Sequence, residues 1–297
     1  MKFGLAVNVN ETVKEVVEKS IHAEQFGLDY IWVSDVPSQR YAFTVASAIA
    51  THTKTIRVGV GLLSCFLFSP EQIADGFSTL TEAHGNRFEL LIGPGDRDQL
   101  SRVGVSWAHP KSVVNYTLEC KEKIKQRLGE DKVWLGAQGP KLLETARFFN
   151  GVFMNYASPK LVEWAVNRVG SVGREGFQFG VYTPAYVYDK FDRKIFNLAR
   201  GASTVVALGD SDFVLKKLGI YEKINAAREK IKKGLTFKSI LDEIPSEIVE
   251  MFAVHKPSSE LQSYLAELSR LGIKHIVFSY PQGFSAKTIK DLANALP

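Results

Sequence analysis

Hydrophobic and polar positions follow two alternating patterns along this chain. Short apolar runs are each followed by a longer segment in which apolar residues recur every three or four positions. The first pattern is typical of a buried strand, and the second of a helix with one face on a core. Together they predict strands at residues 3–9, 30–33, 56–63, 87–92, 133–136, 151–154, 181–188 and 275–280.

Helices are predicted between these strands, at residues 12–26, 41–53, 70–83, 113–128, 140–149, 159–172, 189–200, 259–271 and 285–296. Strands separated by helices pair in parallel, because a parallel neighbour requires a crossover connection. Eight such units are the number that closes a barrel, so the pattern predicts a (β/α)8 TIM barrel. An open doubly wound sheet is the alternative, since it shows the same alternation.

The segment at residues 201–257 interrupts the alternation after the seventh predicted strand. It is rich in Lys and Glu, contains helical stretches and offers no run apolar enough for a buried strand. A chain of 297 residues is within the range of a single barrel. We therefore predict one domain over residues 1–297, with a helical insertion at residues 201–257.

Composition and charge narrow the classes of function. Hydrophobic residues make up 45% and charged residues 23%, as in ordinary folded proteins. The net charge of +5 favours an anionic small molecule but is too diffuse to predict a nucleic-acid partner. Cys65 and Cys120 are the only cysteines, which excludes a disulfide framework and the usual zinc spacings and favours a reducing cytoplasm. We expect no signal peptide, no membrane span and no metal.

The loop after the fourth predicted strand is the most informative, because barrel chemistry lies at the carboxyl ends of the strands. It reads Gly93-Pro94-Gly95-Asp96, and its two glycines let the backbone turn tightly and approach a ligand. Asp98 stands where a dinucleotide fingerprint requires its third glycine, and no Walker loop follows. A plain turn is the alternative to a binding loop.

Three other strand ends carry polar candidates. The run Gly136-Ala137-Gln138-Gly139 precedes Pro140, which suits a first helical turn with free N–H groups and so predicts a phosphate site; a short structural corner is the alternative. Asn155 ends the sixth strand and is a ligand candidate. Asp35 follows the second strand and is either a ligand or proton-relay group or a helix cap.

Several segments, taken together, resemble the bacterial-luciferase-like barrel superfamily and, within it, the coenzyme F420-dependent methylenetetrahydromethanopterin reductases. The resemblance extends in order over nearly the whole chain. It rests on Met1-Lys2-Phe3-Gly4-Leu5, Trp32-Val33-Ser34-Asp35, Arg57-Val58-Gly59-Val60-Gly61, Leu90-Leu91-Ile92-Gly93-Pro94-Gly95-Asp96, Leu135-Gly136-Ala137-Gln138-Gly139-Pro140-Lys141 and Gly272-Ile273-Lys274-His275-Ile276-Val277-Phe278.

The resemblance implies an oxidoreductase that holds a deazaflavin over the carboxyl end of the barrel and transfers a hydride to a methylene-pterin or a related acceptor. It also implies a homo-oligomer, most simply a dimer, and a non-prolyl cis peptide bond near Gly61–Leu62. Asp35 and Asp96 are the carboxylates expected to position the substrate or relay a proton. The expected cofactor-binding residues are Gly61, Leu62, Ser64, Gly93, Pro94, Gly95, Gly136, Ala137, Gln138, Gly139 and Asn155.

Three positions depart from the pattern of these reductases. Ala6 stands where the first strand usually carries a Glu for proton handling, and Val36 stands where a His usually follows the Asp. The usual Arg-His-Pro is replaced by Phe68-Ser69-Pro70. Two alternatives stay open: an FMN-dependent luciferase-like monooxygenase of the same superfamily, and a catalytically impaired flavin-binding paralogue, which these losses support.

Overall fold

The computed structural model describes residues 1–7, 11–37, 39–106, 110–130, 132–173 and 175–297. Its strands are β1 (Lys2–Val7), β2 (Tyr30–Val33), β3 (Arg57–Ser64), β4 (Phe88–Gly93), β5 (Val133–Ala137), β6 (Gly151–Met154), β7 (Gln178–Tyr188), β8 (Val254–Pro257) and β9 (Ile273–Ser279). Its helices are α1 (Val13–Gln25), α2 (Ala42–His52), α3 (Pro70–His84), α4 (Arg97–Arg102), α5 (Pro110–Leu128), α6 (Pro140–Leu143), α7 (Pro159–Val169), α8 (Arg193–Gly209), α9 (Asp212–Lys217), α10 (Tyr221–Lys232), α11 (Phe237–Leu241), α12 (Ile248–Phe252), α13 (Ser258–Arg270) and α14 (Ala286–Ala295).

The strands β1 to β7 pair in sequence, each parallel to the next, and β9 pairs with both β7 and β1. Eight strands therefore close into a barrel with helices between them, as the sequence predicts, and the open doubly wound sheet is wrong. Residues 8 and 9 of the first predicted strand lie outside the described residues.

The short strand β8 corrects the prediction that residues 201–257 contain no strand. β7 continues for four residues beyond its pairing with β9, and there it pairs with β8, from Ala185 with Val254 to Tyr188 with Pro257. Only Val254 in this strand is buried, because one face of so short an extension is half exposed. The low hydrophobicity of β8 therefore hid it. The rest of the segment is helical, from the second half of α8 to α12.

Two predicted helices are also corrected. The helix predicted at residues 140–149 is only the four-residue α6, followed by a 3-10 turn at Ala146–Phe148. The helix predicted at residues 189–200 is α8, whose beginning is fixed by Asp192, since its carboxylate accepts the Lys194 N–H at 2.7 Å.

Aromatic rings fill the lower interior of the barrel, and strand glycines make room for them. A Cβ on Gly59 would lie 2.1 Å from Cδ2 of Trp32, and one on Gly180 would lie 2.5 Å from Cδ1 of Phe153. No larger residue fits at these positions while the rings stay in place. We call the rings the aromatic plug; its members are Tyr30, Trp32, Trp134, Phe153 and His275.

One carboxylate joins the plug to the amino end of the barrel. Glu89 accepts a hydrogen bond from Arg57 at 3.0 Å and another from Nε1 of Trp134 at 3.1 Å. The Tyr30 hydroxyl also donates to it at 3.4 Å. A half-buried carboxylate with three donors is well satisfied, so Glu89 has a structural role below the plug.

Candidate functional site

The mouth of the barrel, where the strands reach their carboxyl ends, has Leu62 at its floor. Its Cδ1 lies 2.7 Å from the position of a Cβ on Gly93 and 2.3 Å from that of a Cβ on Gly136. The peptide bond Gly61–Leu62 is cis, as the resemblance implies. Both glycines therefore accommodate the Leu62 side chain, which forms an apolar surface that is partly exposed to the mouth.

Gly61 is required at its position for two reasons. Its φ is 139°, in a region that side chains rarely adopt, and a Cβ there would lie 2.2 Å from the Leu91 carbonyl oxygen. Gly61 therefore has a structural role, since its backbone conformation precedes the inward-pointing Leu62. Its contact with a cofactor stays a prediction.

An unsatisfied polar atom lies beside this floor. Asn155 follows β6 two residues after Phe153, a member of the plug, so strand alternation directs both side chains inward. Its Oδ1 is buried and has no hydrogen-bond partner. Because a buried amide normally finds a partner, this atom is suited to accept a hydrogen bond from a ligand.

Two hydroxyl groups meet on the opposite side of the floor. Ser34 Oγ and the Tyr182 hydroxyl are 2.8 Å apart, and either can be the donor. Ala6 lies in the same cluster and is 2% exposed. We define the mouth floor as Ala6, Ser34, Leu62, Asn155 and Tyr182.

The Gly-Pro-Gly loop is held from below by the end of β3. Ser64 Oγ donates to the Pro94 carbonyl at 2.7 Å, and the Cys65 N–H donates to the Gly93 carbonyl at 3.0 Å. Gly95 has a φ of 85°, and a Cβ there would lie 2.9 Å from Ser64 Oγ. Ser64 and Gly95 thus shape this loop; their predicted contact with a cofactor stays a prediction.

Asp96 has a capping role in this structure. Its Oδ1 accepts the Gln99 N–H at 2.8 Å at the beginning of α4, and its Oδ2 is 3.4 Å from the position of a Cβ on Gly209 at the end of α8. Asp96 as a residue is exposed, but its carboxyl group is surrounded by protein on several sides. This partial desolvation raises the pKa of the carboxyl. Asp96 thus lies at the rim rather than at the floor.

Asp35 lies on the other side of its strand from Ser34, toward α2, where its carboxylate accepts the Ala42 N–H. Burial raises the pKa of this carboxyl to about 6, so it changes charge near neutral pH. The structure supports the capping alternative and gives the group a suitable pKa for proton exchange, but it does not bring Asp35 and Asp96 together on the floor.

The predicted phosphate loop after β5 is only partly free. The Tyr156 hydroxyl donates to the Gln138 carbonyl at 2.5 Å, and Nε2 of Gln138 donates to the Val206 carbonyl of α8 at 3.3 Å. Ala137 is buried. Gly139 is the N-cap residue of α6, but a four-residue helix has little macrodipole, so the reason for expecting an anion there is weakened.

Sequence reasoning missed Tyr182, its bond to Ser34, and Asp210. Burial raises the pKa of the Asp210 carboxyl to about 7, and its Oδ2 has no partner; Oδ1 accepts the Ser211 N–H at 2.7 Å. Gly180 faces the barrel interior, and side chains along a strand alternate between its two faces. This alternation could have predicted that Tyr182, two residues later, also faces inward. No sequence signal joins Asp210 to the loops it contacts.

Comparison with known proteins places these features in context. The sequence model of the luciferase-like monooxygenase family matches residues 1–120. The 5,10-methylenetetrahydromethanopterin reductase of Archaeoglobus fulgidus is 26% identical, over 95% of this chain and 94% of that protein. The protein of the same name from Methanolobus tindarius is 25% identical over 95% of each chain.

The solved structures agree on the fold. The coenzyme F420-dependent tetrahydromethanopterin reductase from Methanopyrus kandleri superposes with a TM-score of 0.85 at 22% identity, over 99% of this chain and 98% of that one. The predicted resemblance is confirmed. The barrel also matches an F420-dependent secondary alcohol dehydrogenase, with a TM-score of 0.77 at 15% identity over 100% and 98% of the two chains.

Two kinds of feature are absent from the described residues. Among the described residues, no helix is both long and apolar enough to cross a membrane. In the same part of the chain, no group of three or more His, Cys, Asp or Glu side chains is placed to hold a metal ion.

Proposed function

We propose that this chain is a coenzyme F420-dependent oxidoreductase that transfers a hydride from the reduced deazaflavin to the methylene carbon of a pterin carrier or a related small acceptor. The observation that carries the proposal is the mouth floor, which combines the apolar, partly exposed Leu62 with the unpartnered Oδ1 of Asn155. Similarity to reductases over 95% of the chain supports the choice of cofactor and acceptor. A cytoplasmic location and a dimer stay predictions.

The residues at the floor fit a deazaflavin. A flat ring system needs an apolar support, which Leu62 offers, and its imide edge needs an acceptor, which Asn155 Oδ1 offers. Gly136 is partly exposed beside them and has no side chain to obstruct the ring. The net charge of +5 favours a cofactor with an anionic tail.

The bound deazaflavin supplies the hydride chemistry, and the chain supplies position and surroundings. Leu62 and the plug beneath it exclude water from one side of the floor. Gly93 and Gly136 leave room for the Leu62 side chain, so packing within the chain sets its position. A preorganised site of this kind favours a reactive arrangement of donor and acceptor.

Cofactor titration tests this proposal. Purified protein is titrated separately with F420 and with FMN, following the change in cofactor fluorescence, and pterin reduction is then measured without oxygen. We expect micromolar or tighter binding of F420, weak binding of FMN and no binding of NAD. Tight FMN binding with no response to F420 would contradict the proposal and favour the monooxygenase alternative.

A matched pair of variants tests the site itself. Asn155→Ala removes the free acceptor, so the Kd for F420 should rise about three- to tenfold, the usual effect of one hydrogen bond. Asn167→Ala is the control, because Asn167 is exposed on α7, and its Kd should match the wild type. If the two variants bind F420 with the same Kd, Asn155 does not contact the cofactor.

A further inference from the structure

The hydrogen bond between Ser34 and Tyr182 crosses the barrel. Ser34 follows β2 and Tyr182 lies in β7, and the strand order β2-β1-β9-β7 places two strands between them. The bond therefore cannot follow the wall, and the two side chains meet inside the barrel. Ala6 of β1 pairs with Trp32, two residues before Ser34, and packs in the cluster that Tyr182 contacts.

The Tyr182 ring is fixed by the plug. Its centroid is 6.1 Å from that of Trp32 and 6.0 Å from that of Phe153, both edge to face. Burial raises the pKa of Tyr182 to about 12, so the hydroxyl keeps its proton at neutral pH. Tyr182 is partly exposed, as is Ser34, although the plug packs against its ring.

Resting on the proposed function, we propose that Tyr182 donates the proton consumed in pterin reduction and that Ser34 relays its replacement. The small Ala6 side chain supplies no acid at this floor, whereas the hydroxyl pair lies on it. Tyrosine is among the side chains that act as general acids.

The step balances as one hydride and one proton. The methylene carbon gains the hydride and becomes a methyl group, and its bond to one of the two bridging nitrogens breaks with the electron pair left on that nitrogen. The nitrogen takes the proton from the Tyr182 hydroxyl. Ser34 then returns a proton to the phenolate oxygen and regains one from solvent, while the reduced deazaflavin is oxidised.

The test compares Tyr182→Phe with Tyr264→Phe. Tyr264 is also buried, and its hydroxyl donates to the Ala157 carbonyl at 2.8 Å outside the barrel, so it controls for loss of a buried hydroxyl. Tyr182→Phe should lower kcat for pterin reduction by about 10²- to 10⁴-fold, the usual contribution of a positioned acid. The Tyr264→Phe variant should keep the wild-type kcat.

Two readouts separate proton donation from a structural role. The solvent isotope effect on kcat should rise in Tyr182→Phe, because proton transfer becomes the slow step. The Kd for the methyl-pterin product should also rise about three- to tenfold while the Kd for F420 is unchanged. Ser34→Ala should lower kcat less than Tyr182→Phe does, because water can replace a relay.

The outcomes distinguish this inference from the proposed function. If the wild type does not bind F420, the proposed function fails and the inference with it. If it binds F420 and reduces pterin, but Tyr182→Phe does so equally well, only the proton-donor inference fails. Binding of F420 without any pterin reduction by the wild type would also overturn the inference.

Discussion

The lower interior of the barrel and the mouth floor are built from the same strands but differ in how their space is filled. In the lower interior, rings occupy the space that glycines leave, and Trp32 is 0% exposed. At the mouth floor, two residues higher on β2 and β6, Ser34 and Asn155 are only partly buried, and one amide oxygen has no partner. Two buried atoms of the plug, Trp32 Nε1 and His275 Nε2, also lack a hydrogen-bond partner, so the two regions differ in exposure and in ring packing.

This difference indicates that the plug stabilises the fold and that the mouth floor binds ligands. Close packing resists any change of volume, so the plug contributes stability. Of the unpartnered polar atoms in these two regions, only Asn155 Oδ1 belongs to a partly exposed residue, so the floor is where a ligand can satisfy one. Variants of the plug should therefore affect folding, and variants of the floor should affect binding.

The largest effect is expected for Gly59→Ala. The new Cβ would lie within 2.5 Å of three atoms of the Trp32 indole, so the ring or the strand must move. We expect a loss of about 3 kcal/mol in the free energy of unfolding, measured by urea denaturation. Gly173→Ala is the control, since nothing lies within 4 Å of its Cβ. If Gly59→Ala keeps its stability and loses only F420 binding, the plug contributes to the binding site and not to stability, contrary to our expectation.

Glu89→Ala should have the next largest effect. It leaves the Arg57 guanidinium and Nε1 of Trp134 without their acceptor, which should cost about 2 kcal/mol of unfolding free energy. Glu144→Ala removes an exposed ion pair with Arg168 and should change stability by less than about 1 kcal/mol. Similar losses in the two variants would show that the buried network adds nothing beyond a surface pair.

His275 should make the plug sensitive to acid. Burial lowers the pKa of this imidazole from 6.5 to about 3, so the unfolded chain binds the proton first as pH falls. The free energy of unfolding should therefore decrease as pH falls from 6.5 to 3, where His275 is protonated in the unfolded chain and neutral in the folded one. Urea denaturation of the wild type and of His275→Phe measures this slope, which the variant should lack in part. An unchanged slope would assign acid sensitivity to other groups.

Asp35 should give a smaller effect of opposite sign near the mouth. Its carboxyl has a pKa raised from 3.8 to about 6, so its protonated form is favoured in the folded chain. This stability is present below pH 3.8 and is lost as pH rises through 6, by about 1 kcal/mol after solvent screening. Asp35→Asn should flatten this part of the pH profile, and Asp98→Asn, which is exposed, should not. Identical profiles of the wild type and Asp35→Asn between pH 4 and 7 would refute the shift.

Much of the barrel was predictable because the strands are apolar and the helices amphipathic. The strand β8 was not, since three of its four residues are half-buried and its partner is an extension of β7. The short α6 was misjudged because Pro140 marks a helix beginning but says nothing of its length.

The site was predictable only where chemistry is local in sequence. Gly61–Leu62 and the Gly-Pro-Gly loop are continuous motifs, and the resemblance located the cis bond. The contact between Ser34 and Tyr182 joins residues 148 positions apart across two intervening strands. Such a contact depends on how the barrel closes, which no local pattern specifies.

The filled lower interior has a consequence for the order of events in turnover. Because rings occupy the barrel below Leu62, ligands reach the floor from the carboxyl end of the strands, through the same opening by which they leave. A cofactor resting on Leu62 would then lie under the acceptor. Under the proposed function, it enters first and departs last, and the kinetics follow a compulsory sequence with the acceptor as the second substrate.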